Sequence, residues 1–416
     1  MGLAVISILF LALAIFIGFK KGINTGFVSI GLALILGSMG GIKTSEIIKG
    51  FNSSLFITML GVSFMFAIAS DNKTLELTAK KLIYLAGNKI FLIPYIVFLI
   101  SAFLAGIGPG TVPVMGIMSI FAMSLAASMG LNPILLASSA LLGAQAGGLT
   151  PIAPTGILAQ ELATQAGIGD LGLHVAMNQF IASLLYFTVI YIVLRGYRME
   201  ATGIQQREAL PKFNKYQWMT ILGIVVMIVA VLIFGYNVGL VCFLLGAILL
   251  IFNASTTKAA MKNIAWSTLI LVCGVNVLMS VVIKLGGIQL ISDALASIMI
   301  PFTSVSIIGI SSGILSWFSS TSGVVMPTMI PTVPGILESL GGGNAIAMVS
   351  AIIITAHTAG CSPISSGGGQ SLAAYTTLVQ TSETEERDLF KKLFYVAIGG
   401  VIFMGLWGLL GGFSFL

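Results

Sequence analysis

The chain has 416 residues, 57% hydrophobic and 8% charged, with a mean hydropathy of +1.08; a water-soluble domain of that composition would aggregate, so the chain belongs in a bilayer. Its net charge of +6 comes from short basic clusters between apolar runs, the pattern of membrane-topology signals, which excludes the continuous basic stripe of a nucleic-acid binder. Cys242, Cys273 and Cys361 lie in apolar runs without CxxC spacing, which argues against a disulfide framework or a zinc site.

In chain order, the first apolar run, residues 2–18, has no basic residue before it and Lys20 and Lys21 after it, so it reads as a membrane helix and not as a signal peptide. A span needs roughly 20 apolar residues, and full spans are predicted near 2–19, 22–40, 54–70, 173–194, 218–235, 238–253, 265–283 and 393–413. Gly and Pro inside an apolar run mark backbone bent within the protein. Residues 90–106 and 114–129 flank a tip from Gly106 to Pro113, and residues 303–318 and 324–340 flank Ser319 to Gly323; each pair reads as a re-entrant hairpin. The runs 134–160 and 345–375 read as helices broken in the middle, at Gly148 to Gly156 and at Gly360 to Gly369. Amphipathic stretches at 72–88 and 288–298 fit short helices lying along the interface.

These features recur at one interval. Gly274 follows Gly61 by 213 residues, as Gly323 follows Gly110 and Gly360 follows Gly147. The order of three spans, hairpin, broken helix and final span repeats with them, so residues 1–195 and 217–416 read as two structural repeats joined by a polar linker at 196–216. With Lys20 and Lys21 in the cytoplasm, 16 of the 19 basic residues fall inside and only Lys43, Lys49 and Lys284 outside. The repeats are then inverted, both termini lie outside the cell membrane, the linker is cytoplasmic, and the hairpins enter from opposite faces.

Unwound backbone at midplane depth survives only where it lines a cavity or binds a ligand. Two tips and two breaks give four such places, expected to converge. Helix N-termini there suit a carboxylate, and carbonyls and hydroxyls at C-terminal ends suit a sodium ion. The candidate substrate-binding residues are Thr111, Gln145, Thr150, Pro151 and Thr155 from the first repeat, and Ser320, Thr321, His357, Ser362, Pro363 and Ser365 from the second. Candidate sodium positions are Gly108, Gly110, Gly148, Ser319, Ser322, Thr358 and Gly360. Small polar residues also serve close helix packing, but four such clusters at symmetric positions point to a site. None of the 13 acidic residues falls inside a predicted span, so a cation would rest on neutral oxygens and on the charge of an anionic substrate. That lack opposes a sodium/proton antiporter, which needs a buried Asp or Glu. An intramembrane enzyme would have only His357 with Ser362 or Cys361 to offer, and hairpins from opposite faces favour alternating access over a continuous pore.

Two opposed hairpins, each followed by a helix broken at a Thr/Ser-Pro loop, resemble the ion transporter superfamily, and within it the divalent anion/sodium symporter and malonate-carrier branch. Ser319-Ser320-Thr321 resembles that branch's Ser-Asn-Thr tip signature with Ser for Asn; Gly108-Pro109-Gly110-Thr111 keeps its threonine. Gly147-Gly148-Leu149-Thr150-Pro151 and Gly360-Cys361-Ser362-Pro363 keep the break, and Gly148 to Gly156 with Pro151 and Pro154 is most similar to the malonate-carrier type. The resemblance implies an elevator-type homodimer without an organic cofactor. A scaffold (spans 1–53 and 217–264) would hold still while a transport part (90–172 and 303–392) carries a small organic anion, a dicarboxylate such as malonate or succinate, with sodium as coupling ion. Proton coupling through His357 is the alternative.

Overall fold

The computed structural model describes residues 2–84, 90–199, 211–317, 319–379 and 383–414, and every regular element among them is helical. The first half runs α1 (Gly2–Lys21), α2 (Thr25–Met39), α3 (Thr44–Ile48), α4 (Ser53–Asp71), α5 (Thr74–Tyr84), α6 (Ile93–Gly106), α7 (Thr111–Met129), α8 (Pro133–Gly147), α9 (Pro154–Gln165) and α10 (His174–Val193). The second runs α11 (Lys215–Leu232), α12 (Val238–Ile251), α13 (Thr257–Asn263), α14 (Trp266–Lys284), α15 (Gly287–Ala296) and α16 (Ser304–Trp317), then α17 (Met326–Met329), α18 (Val333–Leu340), α19 (Ala345–Ala359), α20 (Ser366–Val379) and α21 (Glu383–Leu409). Six helical stretches are long and apolar enough to cross a membrane by length and composition, both second hairpin arms (111–129 and 321–340) among them. The spans expected at 22–40 and 238–253 are shorter, 15 and 14 residues: the Asn24 cap sets a late start for α2, while α12 starts at Val238 as expected and ends early, at Ile251.

The first five helices of each half, α1 to α5 and α11 to α15, begin 213 residues apart. Their contacts are reciprocal as well. A Cβ on Gly61 of α4 would lie 2.1 Å from the Gly239 carbonyl oxygen of α12, and a Cβ on Gly274 of α14 2.4 Å from that of Gly26 of α2; both glycine pairs interchange under the 213-residue shift. The cap amides follow suit, Asn24 Nδ2 donating to Ser267 Oγ of α14 and Asn237 Nδ2 to Thr58 Oγ1 of α4. Contact of i with j′ and of i′ with j marks a pseudo-two-fold relation.

That exchange sorts the helices differently from their order in the chain. One small core joins α1, α2 and α14; another joins α11, α12 and α4. The large core holds α6 to α10 with α16 to α21. Each small lobe therefore borrows the third span of the other half.

The first tip closes as the glycines predict: Gly108 has φ +136° and Gly110 φ +79°, angles that suit glycine. The second arm of the second hairpin, expected as one helix over 324–340, is instead a wide turn over Thr321–Val325, then α17, a tight turn at Ile330–Thr332 and α18. Pro327, Pro331 and Pro334 cause the interruptions by lacking the N–H that continues a helix. The second break is shorter than expected, since α20 resumes at Ser366. Its glycines are packing residues: a Cβ on Gly368 would lie 2.3 Å from the Cys361 carbonyl oxygen and 2.4 Å from that of Ser362. The expected interfacial stretches appear as α5 and α15; residues 85–88 of the first and 200–210 of the linker lie outside the described residues.

Candidate functional site

Both breaks are tied to the tip of their own hairpin. Thr150 Oγ1 donates to the Gly106 carbonyl, 2.7 Å, holding the first break against the first tip. In the second half Ser316 Oγ and Thr321 Oγ1 both donate to the Ala356 carbonyl, at 2.8 and 3.0 Å, pinning tip to the last turn of α19. Ser320 Oγ caps the Gly323 N–H at 3.2 Å. Side-chain hydroxyls thus satisfy carbonyls that the broken helices leave open.

Between these four discontinuities lies a small pocket. It is lined from the predicted set by Thr111, Gln145, Thr155, Ser319, Ser320, Thr321, Ser322, His357, Gly360 and Ser365, and besides these by Val112, Met115, Ser316 and Gly367. Thr111 and Val112 open α7, Thr155 opens α9, Thr321 and Ser322 open the second hairpin's return arm, and Gly367 opens α20. First-turn N–H groups lack an intrahelical acceptor and carry the positive end of the helix dipole, so four helix starts here favour an anion. Two buried polar atoms on the wall, Thr111 Oγ1 and Gln145 Oε1, have no hydrogen-bond partner. An unmade bond on a buried polar group is costly; a ligand in this pocket would relieve it.

His357 is held from behind. Its Nδ1 lies 2.9 Å from Gln179 Oε1 of α10, and Gln179 Nε2 donates to Ser183 Oγ at 2.6 Å. With the amide oxygen turned to the ring, Nδ1 carries the proton and Nε2 is left as an acceptor, which protonation would convert into a donor to an anion. Asn178 and Gln179, polar residues in the middle of an apolar span, were the legible signal for this support.

The other predicted residues stand away from the pocket. Thr150 is spent on Gly106, Thr358 Oγ1 on the Ile354 carbonyl, and Ser362 Oγ accepts the Ile364 N–H inside the loop. Pro363 is buried in the same loop. Gly108 packs on Phe66 and Met227, and Gly148 lies against the Thr111 hydroxyl. Gly110 lines an adjoining cavity, where Thr111, Thr155 and Ser322 face Met59 and Ser63 of α4 and Thr268 of α14. The central pocket therefore abuts both exchanged spans. Pro151 faces a separate crevice with Gly156, Ser54 of α4 and Asn237; through Ser54 this adjoins another crevice between α14 and the second hairpin.

Residues 1–148 match the family model of the dicarboxylate carrier protein MatC N-terminus, a stretch that ends at the first break. In fold the chain is similar to the YdaH transporter of Alcanivorax borkumensis, described as having an unusual topology, with a TM-score of 0.60 over 88% of either chain at 13% sequence identity. No curated protein matches the chain in sequence. The carrier resemblance seen at the tips and breaks is thus met by a match over the first third of the chain. The chain is a polytopic membrane protein by the length and composition of its helices, with a fold similar to that of a solved transporter.

Proposed function

We propose that the chain is a secondary active carrier of a small organic anion, a dicarboxylate of the malonate or succinate kind, coupled to sodium and moved by an elevator displacement of the hairpin-bearing core. The observation that carries this is the convergence of four helix starts on a pocket whose Thr111 hydroxyl and Gln145 amide oxygen are unpartnered. Dipoles and N–H groups suit the carboxylates. Neutral oxygens at Thr111, Gln145, Ser319 and the ends of α8 and α19 suit sodium, and the match to a dicarboxylate carrier family over residues 1–148 supports the substrate class.

The two-domain layout supports the elevator. The lobes built on α1, α2, α14 and on α11, α12, α4 form the scaffold, a homodimer through their apolar outer faces, and the large core is the moving part. Each half crosses the bilayer five times, by α1, α2, α4, the broken pair α8–α9 and α10 or their counterparts. An odd number sets the second half upside down relative to the first. Both scaffold–core interfaces carry a crevice, one beside the N-terminus of α4 with Met279, Pro327 and Pro331, the other between the α4–α5 junction and α7 with Ser70, Ile117 and Phe121. Lysine placement puts the first of these faces outside the cell.

Uptake by purified protein in liposomes tests this, with malonate, succinate, citrate and monocarboxylates under separately imposed sodium and proton gradients. Sodium-driven dicarboxylate uptake, lost in Thr321→Ala and Gln145→Leu, is expected. Uptake driven by protons alone and abolished by His357→Ala would move coupling to the histidine. No carboxylate uptake under any gradient would overturn the proposal.

A further inference from the structure

The open crevice between α14 and the second hairpin has the groups of a binding site of its own. Asn52 caps α4 through a bond from the Leu55 N–H, 2.9 Å. The N–H groups of Ser53 and Ser54, both on the crevice wall, are left without an intrahelical acceptor at the positive end of a 19-residue helix. Lys49 stands exposed on the rim and forms no ion pair among the described residues, whereas its neighbour Lys284 is bound to Glu46 at 2.6 Å. Opposite, Asn276 lines the wall, is 8% exposed, and its Nδ2 has no partner. A buried amide N–H left unmade is a standing cost that an acceptor would remove. Of the acidic groups nearby, Glu161 stands at the crevice's edge with its Oε1 taken up by two lining residues, Asn52 Nδ2 at 2.7 Å and Gln165 Nε2 at 3.0 Å, and Glu46 is held by Lys284.

We propose that this crevice is an outer docking site for a small carboxylate anion, held by the start of α4, Asn276 Nδ2 and the Lys49 ammonium before it moves to the central pocket. Its purpose rests on the carrier function proposed above, but its binding does not. Ser54 also lines the neighbouring crevice, which reaches Pro151 and Gly156 at the first break. Across the pseudo-two-fold the corresponding positions hold Ser63, Phe66, Val114 and Met118, and Ser63 Oγ is already used by the Ala265 N–H. The unpartnered amide of Asn276 therefore has no counterpart on the opposite face.

Single-cysteine labelling tests it in the full chain, because Cys242, Cys273 and Cys361 are all buried. Ser280→Cys, in the crevice, and Ser53→Cys, on its exposed edge, serve as independent reporters. Each is reacted with a sulfonate-bearing and a trimethylammonium-bearing thiosulfonate, with rates normalised to a free thiol. The anionic reagent should react about tenfold faster, as focusing by a local positive field predicts, and Lys49→Glu should remove that preference. Malonate should slow labelling in the wild-type background and equally in Thr321→Ala, whose central pocket is impaired. Equal rates for both reagents, untouched by Lys49→Glu, would overturn the proposal. So would malonate protection that disappears in Thr321→Ala, which would report closure driven from the central pocket, or protection given only by phosphatidylglycerol vesicles, which would assign the crevice to a lipid headgroup. Protection retained in a protein that transports no carboxylate would uphold the docking site while the carrier function fell.

Discussion

Thr111→Val separates a hydroxyl kept for a ligand from one kept for structure. Thr111 is 5% exposed, starts α7, and its Oγ1 has no partner. Valine has the same β-branched shape and the same backbone preference, so the swap removes a buried polar atom and little else. An unsatisfied buried group costs about 1–3 kcal/mol; deleting it should leave the unliganded protein as stable or about 1 kcal/mol more so. With the anion bound the sign reverses, since a hydrogen bond to a charged group contributes about 1.5–3 kcal/mol, a roughly 10- to 100-fold loss of affinity at about 1.4 kcal/mol per decade. The assay is thermal unfolding of the purified protein across a sodium malonate titration, where the ligand-induced rise in melting temperature reports Kd, alongside KM for uptake. Expected is an unchanged or higher melting temperature without malonate and a malonate response displaced to higher concentration. A variant that melts lower without ligand and keeps the full malonate response would refute the reasoning, because the hydroxyl would then be bonded within the fold.

Gly148→Ala should reproduce the transport defect of Thr111→Val, because its Cβ would lie 1.9 Å from Thr111 Oγ1; a variant with wild-type KM would contradict this placement. Gln179→Leu removes the bond to His357 Nδ1 and should raise KM several-fold with the protein still folded, as judged by gel filtration. Gly61→Val and Gly274→Val drive side chains into the Gly239 and Gly26 backbones, so each should lower the yield of folded protein severely, while Gly31→Val, with open space at its Cβ, should not. Gly368→Ala meets two carbonyl oxygens of the second break and should abolish uptake; normal uptake would show that α20 can shift away from the loop.

The helices, the tips and the breaks were legible because membrane burial turns each into a composition signal: apolar length for spans, Gly and Pro for irregular backbone. The 213-residue interval was legible because glycine marks places where backbones touch, and Gly61 and Gly274 do touch backbone. Pocket residues on the tips and helix starts followed from the same logic. What escaped had two causes. Hydroxyls such as Thr150, Thr358 and Ser362 look identical in sequence whether they face a ligand or a local carbonyl, and only the fold shows these three already spent. Contacts between sequence-distant elements carry no local signal at all: α4 pairing with α12 and α14 with α2 is invisible to hydropathy, and Gln179 supports His357 across 178 residues.

The exchanged third spans bear on how a movement of the core can be transmitted. Among the described residues, α4 and α14 belong at once to a scaffold lobe and, through Leu55, Met59, Ala67, Leu269 and Val272, to the large core. Each is followed directly by a short amphipathic helix, α5 or α15, leading into a hairpin. On the lobe side the packing is glycine against backbone, with Cβ clearances near 2 Å, and so has no room to slide. On the core side it is side chain against side chain, with a crevice at either face. A rigid-body displacement of the core would therefore shear the second contact and spare the first. The reciprocal positions of the two glycine pairs then give both faces the same fixed rail.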